Sequence, residues 1–208
     1  MNQKNSLGLN SCFLDLDDPV SLFKSWMDEA KQSEPNDPNA VSLATSNKNN
    51  FPSVRMVLLK GFNTNGFVFY TNLNSQKGKE LKENPKAAMC FHWKSLLRQI
   101  RINGTVTQVS DEDADVYYNS RAYESRIGAW ASKQSEELVN RKQLDETIKE
   151  FKKKYGDEKK VPRPEHWSGW NLSPLSIEFW LDGDNRIHER LKYTKGSKGQ
   201  WIKSLLSP

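Results

Sequence analysis

The sequence predicts a mainly β, α+β domain: an antiparallel sheet closing into a small barrel, with helices at its periphery. Short aromatic and β-branched runs recur along the chain, bounded by Gly, Pro, Asn and Asp, and helical patterns lie between them. No Gly-x-Gly-x-x-Gly fingerprint follows a strand and opens a helix, so the usual sign of a doubly wound dinucleotide fold is missing. With 208 residues the chain supports one well-buried core and is short for two.

Asp18-Pro19 reads as an N-cap followed by proline at the first helical position. Val20, Phe23, Trp26 and Met27 then recur at helical spacing, giving one amphipathic helix that ends near Ser33. The breaker cluster Pro35, Asp37 and Pro38 follows, and the β core begins with a strand over Ala40 to Thr45. Val54 to Phe62 and Phe67 to Thr71 are strand-forming runs joined by Asn63-Thr64-Asn65-Gly66, which predicts a hairpin between them. Lys77 to Glu83 is helical and stops at Asn84-Pro85, and strands follow at Ala87 to Trp93 and Leu97 to Val109. Ser110 caps a helix reaching Asn119, with Asp111, Glu112 and Asp113 in the first turn, where the dipole favours acids. Ser135-Glu136-Glu137 is expected to open another helix reaching Tyr155. The Pro162/Pro164 loop then leads to two final strands and a short one near Trp201.

Net charge is +5, and much of the excess lies in Lys152-Lys153-Lys154 and Lys159-Lys160, a polar stretch read as a solvated helix end. No zinc-finger spacing or RNA-recognition aromatic motif accompanies it, so a small anionic ligand fits better than nucleic acid. No apolar run approaches the ~20 residues of a membrane span, and Met1 to Leu16 lacks the apolar core of a signal peptide. A soluble cytoplasmic protein is expected. Cys12 and Cys90 read as free thiols, and His92, His166 and His188 lack metal-ligand spacing, so no metal is expected.

The chemistry concentrates in Ile177-Glu178-Phe179-Trp180-Leu181-Asp182-Gly183-Asp184-Asn185-Arg186-Ile187-His188-Glu189-Arg190. In an extended strand Arg186, His188 and Arg190 share one face, a cationic row with an imidazole in the middle. Such a row suits a ligand carrying phosphate and a planar ring, and a strand with ordinary surface charges is the plain alternative. Arg55 and Lys60, five positions apart, point to opposite faces of an ideal flat strand. Tyr117, Arg121 and Ser125, spaced by four, share one side of a continuous helix and offer a phosphate-binding face.

The C-terminal run closely resembles the signature of the pyridoxamine/pyridoxine 5′-phosphate oxidases. Arg55-Met56-Val57-Leu58-Leu59-Lys60 resembles that family's flavin-binding strand, and Gly128-Ala129-Trp130-Ala131-Ser132-Lys133-Gln134-Ser135 its central loop. The resemblance implies an FMN-binding split β-barrel over residues 38–208 behind an N-terminal helical segment over 1–37, in a homodimer with FMN at the interface. It implies oxidation of pyridoxamine or pyridoxine 5′-phosphate to pyridoxal 5′-phosphate, with molecular oxygen as acceptor and hydrogen peroxide as product. By the same resemblance FMN is held by Arg55, Met56, Val57, Leu58, Lys60, Tyr70, Thr71, Lys77, Gln99, Gln134, Ser135, Trp180 and Arg190. Tyr117, Arg121 and Ser125 then take the substrate phosphate, with Lys60 nearby, and Arg186 and His188 form the catalytic pair on the substrate side.

Four departures accompany the resemblance. Gln76 stands where the family often has an arginine, and Asn171 where its Trp-Gly-Gly-aromatic-Arg pattern has a cation. Leu181 replaces a polar residue or Gly, and Leu7 to Leu16 lacks the arginine and tyrosine of a segment that folds over the site in relatives. A split-barrel flavoprotein with a different substrate and a non-catalytic pyridoxal-phosphate-binding protein remain as alternatives.

Overall fold

A computed structural model describes residues 4–208; Met1, Asn2 and Gln3, which begin the expected N-terminal segment, lie outside the described residues. Helix α1 (Pro19–Ser33) is capped by Asp18, whose carboxylate accepts from the Val20 and Ser21 amides. Strands β1 (Ala40–Ser46), β2 (Pro52–Leu58), β3 (Gly61–Asn63) and β4 (Gly66–Asn72) follow, then α2 (Gln76–Glu83). Strands β5 (Lys86–Trp93) and β6 (Arg98–Gln108) lead to α3 (Asp111–Asn119), α4 (Tyr123–Ala131) and α5 (Arg141–Lys154). The chain ends with β7 (Trp167–Leu181), β8 (Glu189–Lys195) and β9 (Trp201–Leu205). Antiparallel pairing runs in the order β2-β1-β5-β6-β7-β4-β3, with β8 on β7 and β9 on β8, a curled half-barrel sheet with helices around it. Among the described residues no helix is long and apolar enough to cross a membrane.

Strand β7 organises the sheet. Its first half pairs with β4 as far as Leu172 and its second half with β8 from Ser176, while β6 follows its other edge. The change of partner coincides with a bulge: Asn103 faces Ser176 but Gly104 faces Pro174, which leaves Leu175 unpaired and exposed. Proline has no N–H to give a ladder, so the irregularity falls where Pro174 stands. Gly104 is needed opposite, because a Cβ there would lie 2.1 Å from the Ser173 carbonyl oxygen.

Helix α1 supplies the core. Phe23 is fully buried and meets Phe62, Phe67 and Phe91 edge-on at centroid distances of 4.8, 4.9 and 5.3 Å. Trp26 packs edge-on between Phe13 and Phe179, each at 5.2 Å, and donates its indole N–H to the Cys12 carbonyl. Edge-to-face contact suits the ring quadrupoles and adds to the burial itself. Burial also pushes the Cys12 thiol up to about 11, away from thiolate reactivity.

Several expectations are corrected. Val54 to Phe62 is not one strand: β2 pairs with β1, and only the short β3 makes the hairpin with β4. Leu59 turns into the core between them, 5 % exposed, whereas Val54 and Met56 on the edge strand β2 are exposed. Helix α4 has no counterpart among the predicted elements, and Gly128 to Ala131 lie in it rather than in a central loop. Nor are Tyr117, Arg121 and Ser125 on one continuous helix. The chain folds back after Ser120, and the Tyr118 hydroxyl donates to the Arg126 carbonyl at 3.0 Å to close the corner. Ser135 caps no helix; its φ is +72°, and α5 starts later under an Asn140 cap. Finally, Arg186, His188 and Arg190 do not share an extended strand. Asn185 and Arg186 have φ of +56° and +65° in a tight turn, and β8 begins only at Glu189.

Replacing Gly104 by Ala should lower stability by about 2 kcal/mol or more, several degrees in Tm, because the added Cβ meets backbone. Leu175→Ala, on the exposed bulge residue, should change Tm little. Calorimetric melting of both variants checks the pair.

Candidate active site

A cavity of about 670 Å³ opens between β2, β4, the start of α2 and the corner joining α3 to α4. Met56, Val57, Leu58, Lys60, Tyr70, Thr71, Lys77, Tyr117, Arg121, Ser125 and Gln134 line it together. Trp167, which in the sequence looks like any strand aromatic, lines it as well. The Tyr70 and Tyr117 rings stack at 4.0 Å with planes 15° apart, and Tyr70 lies 5.3 Å from Trp167 at 7°. Gly169, across the ladder from Tyr70, makes room for this arrangement, since a Cβ there would stand 2.7 Å from the Tyr70 ring.

One end of the cavity is built around Arg121. Its guanidinium carbon sits 4.8 Å from the Trp167 ring centroid and 5.9 Å from that of Tyr118. Nη1 is buried without a hydrogen-bond partner. Burial depresses the Arg121 pKa, only partly opposed by Tyr117 and Tyr118, and no carboxylate figures among its charged neighbours. Ser125 stands in the first turn of α4, a helix whose N-terminus has no side-chain cap. A hydroxyl and an unpaired guanidinium thus meet on this wall of the cavity, a combination that suits an anion. Lys60 approaches from β2's end, with Nζ 5.9 Å from the Tyr117 ring centroid.

The other end is built around Lys77, in the first turn of α2. Its Nζ makes three long hydrogen bonds of 3.3 Å, to Thr71 Oγ1, Ser75 Oγ and Gln134 Oε1. Burial lowers its pKa below the ordinary 10.5, the nearby Arg55 charge adds to this, and Glu80 partly opposes both. A phosphate there gains an unneutralised cation and the N-terminus of α2.

Arg55 lies behind this end rather than on the cavity wall. Its Nη1 donates to the Leu43 carbonyl at 3.2 Å and to Thr45 Oγ1 at 2.5 Å, and Nη2 donates to Ser53 Oγ at 2.5 Å and to Glu80 at 3.4 Å. Burial pushes the Glu80 carboxyl up, but hydrogen bonds from Ser53, Thr45 and Gln76 more than compensate and hold it below its usual range.

The remaining candidates gather elsewhere. Gln99, Trp180 and Arg190 occupy one register row across β6, β7 and β8. Arg190 clasps Glu178 through Nε at 2.9 Å and Nη2 at 2.7 Å, and its Nη1 donates to the Ser207 carbonyl at 2.8 Å. The His188 ring lies 4.6 Å from Trp180. His188 Nδ1 is 2.9 Å from Asp182 Oδ1 and 3.2 Å from the Gly183 amide: it donates to the first when protonated and accepts from the second when not. Arg186 is exposed beside this group, and Ser135 is exposed next to Gln134. None of these residues lines the cavity, and Trp167 and Trp180 stand at opposite ends of β7, separated by roughly 40 Å of extended strand. The N-terminal segment fastens beside the second group: the Asn10 amide donates to Glu189, Lys4 pairs with the same carboxylate, and Tyr193 donates to the Leu16 carbonyl at 2.8 Å.

Comparison with known proteins covers both parts of the chain. Residues 27–155 match the family described as pyridoxamine 5′-phosphate oxidase, and residues 167–208 match the pyridoxine 5′-phosphate oxidase C-terminal dimerisation region. The chain is 73% identical over 208 residues, all of both chains, to a pyridoxine/pyridoxamine 5′-phosphate oxidase of Pelagibacter ubique. It is 53% identical over 197 residues to one of Allorhizobium ampelinum, covering 94% of this chain and 95% of the relative. Among solved structures, PhzG of Burkholderia lata, crystallised with tetrahydrophenazine-1-carboxylic acid, superposes with a TM-score of 0.88 at 29% identity, over 95% of this chain and 96% of that one. A curled antiparallel sheet, matches to both parts of one family and relatives aligned over nearly their whole length lead to a single conclusion: the chain belongs to the pyridoxamine 5′-phosphate oxidase family.

Proposed function

We propose that the chain is a cytoplasmic FMN-dependent oxidase that converts pyridoxamine or pyridoxine 5′-phosphate to pyridoxal 5′-phosphate, with molecular oxygen as acceptor and hydrogen peroxide released. The observation that carries this reading is one cavity with two cationic ends, at Arg121 and at Lys77, neither bonded directly to a carboxylate. Two phosphates match two ends: the substrate's at Arg121 and FMN's at Lys77. Names of the relatives give the substrate class, and the cavity fits it.

When bound, FMN supplies the hydride acceptor. The protein's part is placement. Lys77, Thr71, Ser75 and Gln134 fit a phosphate, Met56 to Leu58 offer an edge strand along which a planar ring can lie, and Arg55 lends positive potential from behind. Arg121, Ser125, Tyr117 and Lys60 hold the substrate phosphate and so fix the direction of its ring. Gln99, Trp180, Arg186, His188 and Arg190 belong to the same site in this reading but come from a second copy, because one copy keeps them apart from the cavity. A homodimer then brings the far end of one β7 to the cavity of the other, and the matched dimerisation region, which contains β7 to β9, supports it. Arg186 holds the substrate over the flavin, and His188, oriented through Nδ1 by Asp182 and the Gly183 amide, bonds a ring substituent or assists proton movement.

In anaerobic mixing of FMN-loaded protein with pyridoxine 5′-phosphate, the flavin's visible absorbance should bleach and return on admitting oxygen; bound FMN that bleaches with neither phosphorylated substrate rules the oxidase out. Arg186→Leu should cut kcat at least tenfold while FMN stays bound, whereas Arg55→Ala should release FMN more readily, as ultrafiltration of the two variants will measure. FMN affinity should weaken as pH rises through the depressed Lys77 pKa, at a pH below the 10.5 of an ordinary lysine, because the cation at the phosphate is lost there. Fluorescence titration of FMN across alkaline pH, with Lys77→Met as the flat control, tests the sign.

A further inference from the structure

Arg121 presents an anomaly: a half-buried guanidinium with an orphaned Nη1 and no carboxylate near it, held on one side by aromatic faces alone. A flexible arginine in that situation has every reason to swing toward water, where its charge is better solvated. The nearer of the two faces is Trp167, at 4.8 Å, and Trp167 is itself immobilised. It is 6 % exposed, stacks on Tyr70, and is closed from the edge by Tyr118 at 5.2 Å and 66°. Its backbone is clamped too. Arg163 donates Nη1 to the Trp167 carbonyl at 2.9 Å, while Nη2 reaches Asp111 at 2.7 Å and Nε reaches Asp115 at 2.6 Å, both on α3. One partly buried arginine thus locks the start of β7 to the helix that carries Tyr117.

We propose that Trp167 is a positioning residue for the substrate phosphate, a flat plate that keeps the Arg121 guanidinium in the cavity without neutralising it, and so sets discrimination between phosphorylated and unphosphorylated ring substrates. A carboxylate would hold Arg121 equally well but would cancel the charge the ligand needs. An indole face holds a guanidinium by cation–π attraction and stacking and leaves all its N–H donors free for an incoming dianion. The inference rests on the reading of the Arg121 end as the substrate-phosphate site.

The test compares wild type, Trp167→Leu and Trp167→Phe, each FMN-loaded and shown folded by near-ultraviolet circular dichroism. Trp167→Leu should raise KM for pyridoxine 5′-phosphate about tenfold, with a much smaller effect on kcat and a smaller loss of kcat/KM on unphosphorylated pyridoxine, since the loss falls mainly on the phosphate's share of binding. Trp167→Phe keeps a flat face and should stay within about threefold of wild type. Titration calorimetry with inorganic phosphate should show the same order, about tenfold weaker binding in Trp167→Leu and near-wild-type binding in Trp167→Phe. Unchanged phosphate affinity in folded Trp167→Leu, an equal loss on phosphorylated and unphosphorylated substrates, or a Phe variant as weak as the Leu variant overturns the proposal. Should wild type oxidise neither substrate, the oxidase reading falls, and the phosphate titration still decides the role of Trp167.

Discussion

The structure depends on one constraint: β7 must serve two different neighbours on the same edge. Pro174 cannot complete the ladder and Gly104 lets the backbones close in, so the strand bends where its partner changes from β4 to β8. A straight continuous sheet would leave no concave side for α1, whose Phe23 and Trp26 fill the curl with edge-to-face aromatic contacts. The same bend separates two sets of chemically equipped side chains. At one end of β7 Trp167 faces Arg121 and Tyr70, and at the other Trp180 faces His188 and pairs with Arg190. One copy of the fold therefore keeps the two sets apart, and the proposed homodimer is what would join them.

The cations differ in how they are held. Arg190 donates through Nε and Nη2 to one oxygen of Glu178, and Arg55 sits in a hydroxyl-lined network with Glu80 at 3.4 Å, so each is fixed with a carboxylate within reach. Arg121 and Lys77 have no such partner; one rests on aromatic faces and the other on three long bonds to neutral oxygens. Leaving a buried cation unpaired costs stability, and burial depresses both pKa values accordingly. Such a cost persists where a ligand carries the missing charge. Net charge of +5 thus says less than its placement: the lysine run at the end of α5 is exposed, while a few half-buried cations define the cavity.

Much of the fold was legible because its signals are local. The Asp18-Pro19 cap, the 3.6-residue recurrence of Phe23 and Trp26 and the Asn63 to Gly66 turn each depend on neighbours in sequence, and each lies where expected. Helix α4 was not legible because Ala122 gives its start no side-chain cap, and what holds the corner is a hydroxyl from Tyr118 to Arg126. Ser135 misled for the converse reason: a residue type that caps helices sits at positive φ, and Asn140 does the capping. Arg186 and His188 looked strand-borne because alternation was read through Gly183-Asp184-Asn185, a turn-forming run that a stricter reading of breakers would have stopped at. Trp167 was invisible as a site residue since its role comes from what packs on it, which spacing does not encode.

The places where this chain departs from its family's pattern become intelligible once their contacts are known. Asn171 does not line the cavity and donates to the Asn65 carbonyl at 3.1 Å, so it steadies the β3–β4 turn. Leu181 packs against the core at the end of β7, where an apolar side chain is the better choice. Gln76 is different, because it stands one residue before Lys77 and bonds Glu80 at 2.9 Å. An arginine there would compete with Arg55 for Glu80, whereas a neutral amide leaves Glu80 to Arg55, Ser53 and Thr45. The positive charge at this end then resides in Lys77 and in Arg55 behind it, and Glu80 offsets part of it. In the proposed assignment, a cofactor phosphate beside so few charges would lean more on backbone amides and hydroxyls, which resist high salt better than exposed ion pairs do.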